Sequence, residues 1–335
     1  MNELIVLTGI SGFIGKHIAL KLLAAGYSVR GSLRQMTRAA EVQAALAPHL
    51  DSAALGRLTF IELDLEKDHG WQFAMDGASA LIHTASPFPI VTPKEAEKLI
   101  RPAVDGTLRA MAAAKAAGVN RVIVTSSVAA IIDTYKGGTQ DETDWCNVDA
   151  PDTSAYAKSK TLAERAAWDF ATTQGMDLTT INPGFVLGAP LDAHFGSSIG
   201  VIARLLRGRD PMLPMISFSC VDVQDVAESH LRALMRPQTA GRRIACTAGV
   251  LSMLDMGRVL NAAYPNRNIA SRVAPRFLLQ IMALFDPQIR AILPNIGAAH
   301  HISNKRARDD LEMRFISPEG ALRASAQWLI AQKLV

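Results

Sequence analysis

Tyr156 and Lys160 stand four residues apart in the run Tyr-Ala-Lys-Ser-Lys. On a helix that spacing puts both side chains on one face, a turn from each other. A lone tyrosine, with an ordinary pKa of about 10, is a poor acid or base near neutrality. An ammonium beside it stabilises the phenolate and lowers that value, so the pair reads as a proton donor to an oxygen substrate. Upstream, Val122-Ile123-Val124-Thr125-Ser126-Ser127 is an apolar run ending in hydroxyls, and Ser127 is placed to hold the same substrate oxygen. Ser127, Tyr156 and Lys160 are the candidate catalytic residues, and Tyr156 and Lys160 are expected cofactor contacts as well, since the lysine can hydrogen-bond the nicotinamide ribose.

A second cluster of chemistry opens the chain, in Thr8-Gly9-Ile10-Ser11-Gly12-Phe13-Ile14-Gly15. Gly9 permits a sharp turn, Gly12 a close approach of backbone to a pyrophosphate, and Gly15 tight packing of helix on strand. The helix that starts there offers unpaired N–H groups and a positive dipole end to phosphates, which brings in Ser11, Phe13 and Ile14. The next strand closes with Ser32-Leu33-Arg34, and Arg38 follows, with no acid before Glu41. An acid there would read a free ribose 2′-hydroxyl, whereas arginine suits a 2′-phosphate, so Arg34 favours NADP(H) over NAD(H). Asp64 and Leu65 are expected beside the adenine, and Thr84, Ala85 and Ser86 along the pyrophosphate and ribose.

These residues need a frame that alternates strands and helices, and the first half of the chain does alternate. Leu4–Leu7, Ser28–Leu33, Leu58–Leu63, Ala80–His83, Arg121–Ser126 and Asp177–Asn182 read as strands. Phe13–Ala25, Arg38–Ala47, Pro93–Ala117 and Ala155–Gln174 read as helices, several stopped by glycine. Apolar runs such as Leu4–Leu7 suit central parallel strands covered on both faces. The expected fold class is α/β, a doubly wound parallel sheet of Rossmann type with a smaller C-terminal substrate lobe. Residues 1–183 and about 219–248, including a strand near Arg242–Thr247, would form the dinucleotide-binding domain. Residues 184–218 and 249–335 would form the lobe.

Composition narrows the classes further. The chain has 335 residues, 49% hydrophobic and 20% charged, which excludes global disorder. Thirty-five basic against 31 acidic residues leave +4, scattered rather than blocked, which argues against a nucleic-acid partner. Cys146, Cys220 and Cys246 are odd in number and far apart, as in a reducing compartment without disulfides or a CxxC metal pair. No apolar run is long enough to span a membrane, and the opening residues do not read as a signal peptide. A cytoplasmic protein is expected, a monomer or homodimer, with a small-molecule partner and no metal.

The glycine spacing, Thr125-Ser126-Ser127, Tyr156 with Ser159-Lys160-Thr161-Leu162-Ala163-Glu164, Asn182-Pro183-Gly184-Phe185-Val186-Leu187-Gly188, Val221–Ala227 and Ser303-Asn304-Lys305 together resemble one group of enzymes. This is the dihydroflavonol reductase and cinnamoyl-CoA reductase group of the extended short-chain dehydrogenase/reductases, with its bacterial aldehyde and ketone reductase members. The likeness runs from Ile5 to about Leu334. It implies hydride transfer between NADPH and a carbonyl, with Ser127, Tyr156 and Lys160 carrying the chemistry and Pro183 and Val186 placing the nicotinamide. Ala130-Ile131-Ile132-Asp133 lacks the asparagine that touches the flavonoid ring in the plant enzymes, and the signature linked to thioester reduction is absent. The expected substrate is therefore a small to medium aldehyde or ketone. The alternative is a nucleotide-sugar epimerase or dehydratase, which shares the glycine loop, serine, tyrosine and lysine.

Other residues read as structure. His83 is expected to be a core histidine satisfied by hydrogen bonds, and Asp225 to lie near a helix N-cap. Adjacent His300 and His301 diverge and lack partners at metal-ligand spacing. Asp141–Trp145 is expected as a solvated loop over the mouth of the site. Met212, Met215 and Phe218 are candidate pocket residues. The apolar stretch Phe277–Leu293 suits a pocket wall or a dimer face.

Overall fold

A computed structural model of the chain describes residues 3–86, 95–285, 293 and 296–335. Its strands are β1 (Leu4–Thr8), β2 (Ser28–Leu33), β3 (Leu58–Glu62), β4 (Ala80–His83), β5 (Arg121–Thr125), β6 (Thr139–Gln140), β7 (Asp177–Pro183), β8 (Phe185–Leu187), β9 (Ser217–Asp222), β10 (Arg242–Cys246), β11 (Gly249–Ser252) and β12 (His301–Ile302). Seven of them form one sheet in the order β10-β7-β5-β4-β1-β2-β3, with parallel pairing throughout.

The apolar runs that predict central strands do so because both faces of this sheet are covered. Alternate side chains feed separate cores, as the two-residue period of a strand requires. Ile5, Leu7, Ile82, Ile123, Ile181 and Ile244 pack on one face, with the helices Phe13–Ala24 and Val223–Met235. Val6, Leu81, Val122, Val124 and Leu178 pack on the other, against Ala110 and Ala114 of the helix Glu97–Ala116 and Ala167 and Ala171 of the helix Ala155–Gln174. Small residues at these contacts let the two helices lie close to the sheet and to each other.

The boundaries of Ala155–Gln174 match the sequence expectation because both ends carry a stop. The Ser154 hydroxyl accepts the Ala157 N–H, and Gly175 ends the helix in the left-handed region at φ 61°. The helix expected from Pro93 is described from Glu97, and Pro93 itself lies outside the described residues.

From β1 the chain builds outward to β2 and β3, then returns to β4 on the opposite side of β1. The strand order therefore reverses between β1 and β4, where a crevice opens at the carboxyl ends of a doubly wound sheet. After β7 the chain enters a three-stranded sheet, β11-β9-β8, with β8 and β9 parallel and β9 and β11 antiparallel. Of the return expected near 219–248, only β10 joins the main sheet, while β9 belongs to the small one. Among the described residues no helix is long and apolar enough to cross a membrane.

Candidate active site

The crevice at the switch point encloses about 1080 Å3 and runs from the β1–helix turn to the small sheet. Gly9, Ser11, Gly12, Phe13, Ile14 and Gly15 form its floor. Gly9 sits at φ +71°, and a Cβ there would lie 2.8 Å from the Ala85 nitrogen. A Cβ on Gly15 would lie 2.2 Å from the Gly9 carbonyl oxygen, so the helix can close on the turn only without one. No side chain caps the helix at Gly12, which leaves its first N–H groups to an anion. This bare backbone cradle fits a dinucleotide pyrophosphate.

At one end of the crevice stand Ser32, Arg34, Gln35 and Arg38. Ser32 braces the turn by accepting the Gly9 N–H at 3.3 Å, and Arg34 is exposed on the rim. Glu41 holds the Arg38 fork at 2.7 and 3.2 Å, and Arg38 in turn keeps the Glu41 carboxyl below its ordinary range. His194 reaches Glu41 at 3.0 Å from the chain after β8, and Asp192 pairs with buried Lys16. Leu63 and Leu65 line the crevice after β3. Asp64 does not line it: its carboxylate accepts the Glu66 N–H at 3.0 Å and lies 3.6 Å from the Lys67 ammonium. Thr84, Ala85 and Ser86 line the inner wall.

Ser127 and Tyr156 meet at the inner end of the crevice, where their hydroxyls hydrogen-bond to each other. Ser127 arrives from the end of β5 and Tyr156 from the first turn of the following long helix. Burial pushes the Tyr156 phenol up, with the Ser127 bond only partly offsetting it. The sequence predicts the reverse direction from the neighbouring lysine, but desolvation of the phenolate sets the direction here. The resting tyrosine is thus held as the acid. Lys160 lines a small space behind the crevice rather than the crevice wall, and burial brings its ammonium down to about 8 against the opposing pull of Glu164.

Glu164, one turn beyond Lys160, is the hub of a network that the sequence does not announce. Its carboxylate accepts from Ser126, from Asn182 at 2.7 Å, from Thr180 at 3.0 Å and from Arg243 Nε at 2.6 Å. The Arg243 guanidinium lies 3.6 Å over the Trp145 ring and donates to the carbonyls of Glu142 and Asp144. Asp141–Trp145 is therefore no solvated flap: Glu142 is buried and accepts the Ala245 N–H at 2.9 Å. A buried arginine needs carbonyls around it, and this segment supplies them.

The outer half of the crevice is apolar, with Val128, Ala129, Ile132, Phe185, Val186 and Phe218 on its walls and Ser217, Ser219 and His300 among them. Phe185 and Phe218 stack at 4.4 Å between ring centres. Of the expected pocket residues Phe218 is present, while Met212, Met215 and Pro183 are not among the lining residues. Phe277, Ile281 and Phe285 are exposed, and residues 286–292 of that stretch lie outside the described residues. Gln35, Leu63 and the segment Gly196–Ser198 line the crevice without any sequence signal that singled them out, and Gly184 of the Asn182–Gly188 motif lines it too. Asp222 caps the helix Val223–Met235, accepting the Gln224 N–H at 2.8 Å, and Asp225 stands in its first turn, near the cap as expected, where it accepts the Ile316 N–H. His83 bonds Thr8 through Nδ1, but its buried Nε2 has no partner among the described residues.

The family model for the NAD dependent epimerase/dehydratase family matches residues 5–246, which takes in the glycine turn, Ser127, Tyr156 and Lys160. The chain belongs to that family. A cinnamoyl-CoA reductase of Medicago truncatula is 32% identical over 82% of this chain and 85% of its own, and an uncharacterized oxidoreductase of Schizosaccharomyces pombe is 34% identical over 80% and 84%. Among solved structures, the yeast methylglyoxal/isovaleraldehyde reductase Gre2 complexed with NADPH is similar at a TM-score of 0.82 and 25% identity, covering 99% of this chain and all of that one. The family member is thus of the extended short-chain dehydrogenase/reductase kind, and the relatives named here are reductases or an oxidoreductase.

Proposed function

We propose that the protein is an NADPH-dependent oxidoreductase that reduces the carbonyl group of a small to medium hydrophobic aldehyde or ketone. The observation that carries the reading is the Tyr156–Ser127 hydroxyl pair, set where the glycine cradle meets the stacked Phe185–Phe218 wall. NADPH, when bound, supplies the hydride that the carbonyl carbon takes up. Ser127 holds the carbonyl oxygen, and the Tyr156 phenol gives it the proton as negative charge develops. The Lys160 ammonium, one turn behind, offsets the phenolate that remains. Gly9 to Gly15 with Thr84, Ala85 and Ser86 hold the pyrophosphate and ribose, Leu63 and Leu65 flank the adenine, and Val186 bounds the nicotinamide, with Pro183 beneath. Arg34, aided by Ser32 and Arg38, holds the 2′-phosphate. Residues 184–218 and 249–335 supply the substrate lobe.

The test is NADPH and NADH oxidation against a panel of aldehydes, ketones and diketones, with a UDP-sugar on the same plate. Loss of NADPH absorbance that depends on a carbonyl supports the reading. Sugar conversion without net cofactor oxidation replaces it with an epimerase or dehydratase.

A further inference from the structure

Hydrogen-bond arithmetic at the end of β4 leaves one donor over. The Thr8 hydroxyl oxygen accepts the N–H groups of Thr84 and Ala85, each at 3.1 Å. Both lone pairs are then used, so its proton goes to the remaining neighbour, His83 Nδ1, at 2.9 Å. Burial keeps His83 neutral, with its pKa down to about 3, so the ring's single proton sits on Nε2. That donor is buried and has no acceptor among the described residues. Left dry it would cost about 1–3 kcal/mol.

The His83 side chain lines a small cavity behind the active site, with room for about one water molecule, and Lys160, Thr125, Ser126 and Glu164 line it too. Lys160 is also a donor without acceptor capacity, close enough to depress the His83 titration. Glu164 does not resolve this, because its two oxygens already accept from Ser126, Asn182, Thr180 and Arg243. His83 Nε2 is a buried donor without a partner and Lys160 a donor beside the same space, so one acceptor there would serve both.

We propose that the cavity is a built single-water site of the catalytic centre, whose water accepts from His83 Nε2–H and from the Lys160 ammonium and so makes His83 a positioning residue for that lysine. The charged and titratable groups around Lys160 are Tyr156 and Glu164 on its own helix, His83 from β4, and Arg243 from β10 acting through Glu164. A water oxygen turned toward the ammonium stabilises its charged form. Removing it lowers the pH at which Lys160 loses its proton. The water site stands independently of the reductase reading, while its effect on turnover rests on it.

Two measurements on the full-length wild-type chain test the site itself. A high-resolution crystal structure is expected to show an ordered water about 3 Å from both His83 Nε2 and Lys160 Nζ. Histidine 15N NMR is expected to place the His83 proton on Nε2. A dry cavity, or a proton on Nδ1, overturns the proposal even if the variants fail to fold. A third measurement tests the consequence, through the pH profile of NADPH-dependent turnover. His83→Phe removes the donor while filling the space, and should move the alkaline limb down by on the order of one pH unit. His83→Gln keeps a donor at similar reach and should restore the wild-type profile. Coincident limbs in wild type and His83→Phe would remove His83 from any role in positioning Lys160. If no carbonyl compound is turned over, the reductase reading fails while the crystal and NMR results still decide the water site.

Discussion

On the proposed reading Tyr156 does one thing only, it delivers a proton, and its surroundings suit that task. Burial keeps the phenol protonated and the Ser127 hydroxyl orients it. Tyr156→Phe removes the proton without changing the ring that lines the crevice. Turnover should fall by about 10²–10⁴-fold, with NADPH affinity unchanged in a fluorescence titration. Turnover near wild type would end the assignment of Tyr156 as the acid. Arg34, exposed on the rim of the crevice, is proposed to hold the 2′-phosphate. Arg34→Ala should weaken NADPH binding by roughly 10–100-fold, the worth of one charged hydrogen-bond pair, and NADH binding far less. Equal losses for the two cofactors would assign phosphate recognition elsewhere. The sequence pointed to both positions because each stands at the end of a recognisable element, and both line the crevice.

At the scale of elements, the glycine turn depends on backbone contact rather than on side-chain chemistry. The space that a Gly15 Cβ would need is held by the Gly9 carbonyl, and backbone does not move aside as a side-chain tip can. Gly15→Ala should therefore push the first helix off β1, destabilise the fold by about 1–3 kcal/mol in urea titration and weaken cofactor binding. Full stability with full affinity would show that the turn tolerates a shift. The helix Ala155–Gln174 was legible to the residue because Ser154 and Gly175 mark its ends. Asp141–Trp145 was not, because its acids and loop composition conceal that Arg243, a hundred residues on, draws the segment inward. Likewise Asp64 stands at the expected place in the chain, but the local turn to Glu66 and Lys67 takes its carboxylate away from the crevice.

At the scale of the whole molecule, burial of histidines dictates how stability answers to acid. Desolvation lowers His17 to about 4, His83 to about 3 and His230 to about 4 from an ordinary 6.5. Below pH 6.5 the unfolded chain takes up these protons before the native one does, so stability is present above that pH and drains away as the pH falls toward 4. Asp225 has the opposite sign: burial raises it from 3.8 to about 6, so the native state holds its proton longer. Its contribution declines as the pH rises through that window. Together these four groups give about two protons gained on unfolding near pH 5, a slope of roughly 3 kcal/mol per pH unit from them. Urea unfolding at pH 7, 6 and 5 checks this, and a flat profile would mean that the histidines titrate normally in the native state. Asp225→Asn should steepen the slope by about one proton's worth.

The sequence by itself determined the α/β alternation and the glycine turn, and it singled out Ser127, Tyr156 and Lys160 as candidates. These rest on local rules: residue period, backbone freedom, and spacing along one helix. What the tertiary structure decided is everything that depends on residues distant in the chain. The strand order places the crevice between β1 and β4. The Phe185–Phe218 stack forms its apolar wall, and Arg243 pairs with Glu164 behind the lysine. The direction of the Tyr156 shift belongs here too, because desolvation is set by how much protein closes around a group. The spare proton on His83 also appears only once Thr8 of β1 and Thr84 and Ala85 beyond β4 have come together. Spacing along the chain records which groups are available, and only packing decides which partners and how much water each of them keeps.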